Sequence, residues 1–268
     1  MKSVESTTKR ISGRQALTAE RRLLILAAGF LLSLIPVLAA WWQAWNAEDS
    51  YYAHGPIVPL IVAMMIWRNK DLLAVTPFRE SWLGLPLLVV ALVIQSLAML
   101  TGMSSVLGAS FMLGVIGLLL STLGARATGI VIVPVLFLAT MIPLPSLFLD
   151  TYTSGLQTIS SSVAAVLLRL LGLDIVQKGT VLLSDRLPGP LVVGAPCSGL
   201  KLVVSMVAFI WAFSYMLEGR WWKKVTLFAL CVPFAVLVNS LRIAAIGAVG
   251  VYSQDVDMVH SAHDNIAY

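Results

Sequence analysis

Cys197 lies in Gly194-Ala195-Pro196-Cys197-Ser198-Gly199-Leu200-Lys201, a reactive thiol among small residues and turn-formers at the mouth of an apolar stretch. Pro196 suits the first turn of a helix that begins there. A thiol near a helix N-terminus meets the positive end of the dipole and several unpaired N–H groups. Both favour the thiolate, the form that attacks a carbonyl carbon. The backbone N–H groups of Ser198 and Gly199 carry little bulk around them and suit an oxyanion. A cysteine in this place also serves as a small apolar residue at a helix start. Its neighbours in space decide between the two uses.

A thiol nucleophile needs a base, and the charge that develops on the attacked oxygen needs a donor. Arg242 stands in Val238-Asn239-Ser240-Leu241-Arg242-Ile243, inside an apolar stretch. Placing an Arg there costs at least ~2.5 kcal/mol on insertion scales, so it has a partner or a function. Asn239 precedes it by three residues and shares its helical face. The structural use of the same Arg is to snorkel outward or to pair with Asp255 or Asp257. His260 and His263 follow in Val259-His260-Ser261-Ala262-His263-Asp264. Each fits a solvated loop histidine, and each fits a base. A pair at i, i+3 also fits a metal site, with Cys197, His54 or a nearby Asp as third ligand. Cys231 sits within an apolar run and reads as core filler, so a disulfide between the two cysteines is not expected.

These residues must be positioned by membrane helices. Of 268 residues 59% are hydrophobic and only 12% charged, against about 25% charged in soluble domains. The fold class is therefore an all-α polytopic membrane protein. The net charge of +5 does not indicate a nucleic-acid partner, because the basic residues fall in short loops between apolar runs, where charge sets topology. Residues 1–22 carry Lys2, Lys9, Arg10, Arg14, Arg21 and Arg22 without an apolar pattern and read as a basic cytoplasmic tail. Residues 23–268 read as one integral-membrane domain. No cleavable leader is expected, because the first apolar run is long enough to span.

About seven spans are expected along the chain. They cover Leu23–Trp42, a short run Ile57–Trp67, Trp82–Leu100, Val106–Leu123, Ile130–Ile142, Leu200–Leu217 and Val225–Val251. Trp41, Trp42 and Trp45 suggest an interfacial belt at the end of the first. Between the fifth and sixth, Leu147, Leu149, Tyr152, Leu156, Ile159, Val163, Val166 and Leu170 recur at three- and four-residue steps among Ser, Thr and Gln. That is an amphipathic helix suited to lie along the membrane or pack on the bundle, ended by Gly172. Val176–Leu183 and Leu191–Val193 read as two extended runs joined by the turn-formers Ser184 to Pro190. A small extracytoplasmic hairpin leading into Cys197 follows. Thirteen of the 18 Lys and Arg fall in segments this scheme puts inside, which supports a cytoplasmic N-terminus. Counting 17 residues from Val225 at 1.5 Å each puts Arg242 about 25 Å across, in the outer leaflet. Cys197, Arg242 and the two histidines then converge on one outer face.

That constellation resembles the exosortase/archaeosortase family of membrane cysteine protease-transpeptidases. Pro196-Cys197-Ser198-Gly199-Leu200, then Asn239-Ser240-Leu241-Arg242-Ile243, then a His before a carboxylate, is similar to the family's order of motifs. Tyr52-Ala53-His54-Gly55-Pro56 with Ile66-Trp67-Arg68, and Ile142-Pro143-Leu144-Pro145, look like further family motifs. The resemblance covers most of the chain from Tyr51 onward. It implies Cys197 as nucleophile, Arg242 as catalytic Arg and His263 as catalytic His, with His260 as the alternative. Ser198, Gly199, Asn239 and His54 become supporting or substrate-binding residues. His263 is preferred because His263-Asp264-Asn265-Ile266-Ala267-Tyr268 looks like the family's His-acid-x-x-Gly-aromatic pattern, with Ala267 in place of Gly. The family continues into a further span after this His, so the chain is expected to stop short of it.

The resemblance also implies a bacterial inner-membrane location, no metal and no cofactor. Membrane lipids are partners. Substrates are exported proteins bearing a short motif such as Pro-Glu-Pro, a transmembrane helix and a basic tail, in surface or exopolysaccharide assembly. Other classes remain open on the residues alone: a non-catalytic component of polysaccharide export, or a transporter. A transporter places its charge near the midplane. The sequence sets no oligomeric state.

Overall fold

The structure, a computed structural model, describes residues 25, 27–47, 50–79, 81–194 and 199–253. An apolar chain in lipid must satisfy its backbone polar groups internally, and helices do this within one segment. Helices α1 (Ala27–Trp45), α4 (Gly84–Thr101), α9 (Trp221–Ser253) and the run Gly124–Met141 are long and apolar enough to cross a membrane; Gly55–Arg68, Val106–Thr122 and Leu200–Met216 are shorter apolar helices. Helices therefore stand at each of the places where a span is expected, and four have full spanning length among the described residues. The chain forms two compact units, one of residues 1–44 and 55–143, the other of 45–54 and 144–268.

The first unit holds α1 up to Ala44, a 3-10 turn Gly55–Ile57, α2 (Val58–Arg68), α3 (Lys70–Val75), α4, α5 (Ser104–Thr122), α6 (Gly124–Phe137) and a second 3-10 turn Leu138–Met141. Small residues let two of its helices approach backbone to backbone, as membrane helices do when no water drives them together. A Cβ on Gly117 of α5 would lie 2.8 Å from the backbone nitrogen of Leu88 in α4, and one on Gly84 would strike Ser121 and Gly117. Ser121 returns its hydroxyl to the Gly117 carbonyl at 2.8 Å. Phe30 of α1 fills the space left by Gly114, and buried Gln95 of α4 donates to the Ser33 carbonyl. Buried Pro134 lies inside α6, which tightens into 3-10 geometry four residues later. Trp41 departs from the expected belt. It is buried edge-on to Phe111 at 5.2 Å, while Trp42 is exposed.

The second unit holds α7 (Ser146–Leu170), strands β1 (Val176–Lys178), β2 (Val181–Leu183) and β3 (Leu191–Val192), α8 (Leu200–Met216) and α9. The strands form an antiparallel meander in the order β1-β2-β3. This corrects the expected two-stranded hairpin. The first extended run is cut by Gly179, whose φ of +62° allows a two-residue turn between Lys178 and Val181. Ser184 to Pro190 joins β2 to β3 as the turn chemistry requires. Leu182 of β2, Val193 just after β3, Ala164, Ala165 and Leu168 from α7, and Ile243 and Ala244 from α9 share one core. Arg169 locks the α7–β1 corner by donating from Nε and Nη2 to the Ile175 carbonyl at 3.0 and 2.8 Å. Its charge thus serves a structural contact, which explains why it stands outside the topological charge pattern.

At about 100° per residue, α7 presents three sectors rather than two. Phe148, Tyr152, Ile159, Val166 and Leu170 form an exposed apolar sector; Thr153, Ser160, Ser161, Ala164 and Leu168 are buried; Thr151, Ser154 and Thr158 form an exposed polar sector. An interfacial helix that touches lipid, protein and water at once has this pattern. The amphipathic reading therefore holds, but the inward face is built mainly of small and hydroxylic residues, with Leu168 as its large apolar member.

Candidate active site

Gly199 is the described end of the cysteine motif. It caps α8 in the left-handed region, with φ of +79°, and its carbonyl accepts the first helical hydrogen bond from the Val203 N–H at 3.0 Å. Helix α8 thus starts at Leu200, and Pro196, expected in a first helical turn, lies outside the described residues. A left-handed cap ahead of Leu200 is a conformation that glycine adopts without strain. It has a second reason to be glycine. A Cβ on Gly199 would lie 3.2 Å from Cβ and 3.3 Å from Cγ of Asn239. The motif's end is therefore laid directly on α9, at a residue far along the chain.

Asn239 is fully buried. Arg242 stands one turn further along α9, half-buried. Its Nε and Nη2 are buried without a hydrogen-bond partner among the described residues. An unpaired buried donor costs about 1–3 kcal/mol, more when charged, so this guanidinium is a donor set with no acceptor among the described residues. The structure brings Gly199, Asn239 and Arg242 together. Cys197, Ser198, His260 and His263 lie outside the described residues.

His54 sits in the connection between α1 and the first 3-10 turn, 6.3 Å from the Tyr52 ring between centroids. Tyr52 is buried, and its hydroxyl accepts a 3.0 Å hydrogen bond from the Leu144 N–H. Its backbone N–H donates to Ser50 Oγ. Burial pushes the Tyr52 hydroxyl up from its ordinary pKa, against the Leu144 N–H, which favours the phenolate. Two sequence motifs, around Tyr52 and Pro143-Leu144-Pro145, are thereby joined across 92 residues. Sequence reading found both stretches and missed that they touch; the signal was a tyrosine amid Gly and Pro, which has many uses.

Cys231 is a buried free thiol on α9, 3.9 Å from the Val203 carbonyl of α8, as expected of core filler. Among the described residues no group of three His, Cys, Asp or Glu gathers to hold a metal ion. Beside Leu200, an apolar cavity of about 430 Å³ opens between α7, α8 and α9.

The family model described as Transmembrane exosortase (Exosortase_EpsH) matches residues 41–267. No curated protein and no solved structure gives a match.

Proposed function

Because the chain belongs to the transmembrane exosortase family, we propose that it is a cysteine endopeptidase and transpeptidase acting on exported proteins at the outer face of a bacterial inner membrane. Its substrates carry a C-terminal signal made of a short motif such as Pro-Glu-Pro, a transmembrane helix and a basic cluster. The products serve surface or exopolysaccharide assembly. The observation that carries this reading is Arg242, whose two buried nitrogens lack a partner among the described residues. They lie one turn from the Asn239 that the cysteine motif packs on. Cys197 is only two residues ahead of Gly199 in the chain, and two residues span at most about 7 Å.

In this mechanism His263 takes the proton of the Cys197 thiol, and Sγ attacks the scissile carbonyl carbon. The C=O electron pair moves onto oxygen, where Arg242 stabilises it. The intermediate collapses with loss of the C–N bond. The leaving amine takes the proton from His263, and a thioester remains on Cys197. An acceptor amine or water then attacks the thioester and returns the thiol. Asn239 supports the cysteine motif through Gly199. Its fixed contact with Gly199 supports that role.

The test is a covalent one. Co-express the chain with a reporter that bears Pro-Glu-Pro, an apolar helix and an Arg-rich tail, and look for a reporter adduct that hydroxylamine releases. The adduct is expected with the native thiol and absent with Cys197→Ala. Cys197→Ser is expected to cut weakly or not at all, because a serine hydroxyl is far less ionised near neutral pH. Processing by Cys197→Ala, in cells without a related enzyme, would leave the export-component reading in its place.

A further inference from the structure

The apolar sector of α7 is not uniform along the helix. Its distal part, Ile159, Val166 and Leu170, is plainly exposed, as a lipid-facing surface is. Its first three turns face a wall. Leu144, Phe148, Tyr152 and Leu156 line one side of the apolar cavity of about 430 Å³, and Leu200 and Val204 of α8 line the other. The chain itself leaves this stripe open: Leu144 is 44%, Phe148 49% and Tyr152 53% exposed. Phe148 and Tyr152 pack ring on ring with centroids 4.6 Å apart, which stiffens the stripe.

The spacing of the stripe says what shape fits it. Positions 148, 152 and 156 of α7 form an i±4 row, the ridge that one helix seats in the groove of another, and Leu144 extends the wall just ahead of the helix. The row is about 12 Å long, enough for roughly 8 residues of a second helix. The placement says where that helix comes from. The wall on α8 begins at Leu200, the residue after Gly199. A polypeptide held by its carbonyl at the cysteine motif, and continuing into the membrane, enters the groove at this point. A lipid tail has no reason to start there. All the lining side chains are hydrocarbon apart from the Tyr152 hydroxyl, so the groove reads apolarity and helical shape rather than sequence.

We propose that this α7–α8 groove is the docking site for the apolar α-helix that follows the scissile bond of the substrate. The proposal rests on the thiol-transfer reading above and adds a recognition site distinct from the reacting groups. It is tested by site-specific photo-cross-linking with the same reporter, in the full chain carrying Cys197→Ala so that binding is separate from turnover. A benzophenone amino acid placed at position 152 is expected to cross-link the reporter helix about tenfold more than one placed at position 166 on the same sector. Adding Val204→Trp, which fills the groove, is expected to remove that difference, and detergent melting checks that this variant remains folded. Equal cross-linking at 152 and 166, or capture of lipid alone at 152, with the native enzyme still cutting the reporter, overturns the groove and leaves the enzymatic reading intact. Strong cross-linking at 152 without any cutting keeps the groove and removes the chemistry. A reporter neither cut nor captured removes both.

Discussion

Arg242 is expensive at the scale of one residue. A guanidinium in an apolar helix with two buried unpaired nitrogens forfeits solvation that nothing in the described chain restores, and an acceptor that arrives only during reaction would restore it. Arg242→Lys is therefore expected to keep expression and fold, yet to lower reporter turnover about a hundredfold or more, the scale of removing one oxyanion donor. Reporter turnover near the native rate would return Arg242 to snorkelling. Gly199 has a different constraint, at once conformational and steric. Gly199→Ala places a side chain at φ of +79° and 3.2 Å from Asn239 Cβ. A cost of about 1–2 kcal/mol is expected from backbone strain alone. The loss of activity should exceed the shift in melting temperature if this contact orients the cysteine motif. Equal losses would make Gly199 merely structural.

At the scale of elements, close helix approach is the main device. The α4–α5 pair depends on Gly84 and Gly117 having no side chain, because the atoms they would strike belong partly to backbone, which cannot rotate away. Gly117→Leu is expected to destabilise by about 2–3 kcal/mol or more. Gly129→Leu, where nothing lies within 4 Å, should change stability by no more than about 0.5 kcal/mol. Thermal unfolding in detergent distinguishes the two, and an equal effect would mean that the α4–α5 contact is not close. The meander is braced in another way. Arg169 holds the Ile175 carbonyl, and Gln177 donates from Nε2 to Ser162 Oγ at 3.1 Å and to the Gly179 carbonyl at 2.8 Å. The first strand of the meander is thus tied to α7 by polar side chains as well as by its core.

The whole molecule is a membrane protein of the exosortase family, and the charge pattern predicts a cytoplasmic N-terminus. Two cation–π pairs, Lys70 over Trp67 at 5.1 Å and Lys223 over Trp222 at 5.8 Å, occur at helix ends that the Lys and Arg distribution assigns to the cytoplasm. Such pairs suit the headgroup layer. A membrane-impermeant maleimide applied to intact cells, with Cys231→Ser as background, is expected to label Cys197. Labelling only after the cytoplasmic side is opened reverses the orientation and with it the site of reaction. In the native chain Cys231 should stay unlabelled from either side, because it is buried between α8 and α9.

What the sequence determined by itself is local or compositional. Apolar runs fixed where helices form, since lipid offers no alternative partner for the backbone. The three- and four-residue steps of residues 147–170 marked α7, and the apolar setting of Cys231 marked it as core. Arg242 announced itself by cost alone. Only the tertiary structure decided the rest. Whether residues 176–183 make one strand or two depends on a positive φ at Gly179, and many glycines never use that freedom. Which sector of α7 faces inward depends on the small-residue surfaces of its neighbours. The Tyr52–Leu144 hydrogen bond and the Gly199–Asn239 contact join residues 92 and 40 apart. Periodicity and propensity describe a residue's near neighbours in the chain. Contacts at such separations form because two folded elements happen to fit, and no local pattern encodes the fit.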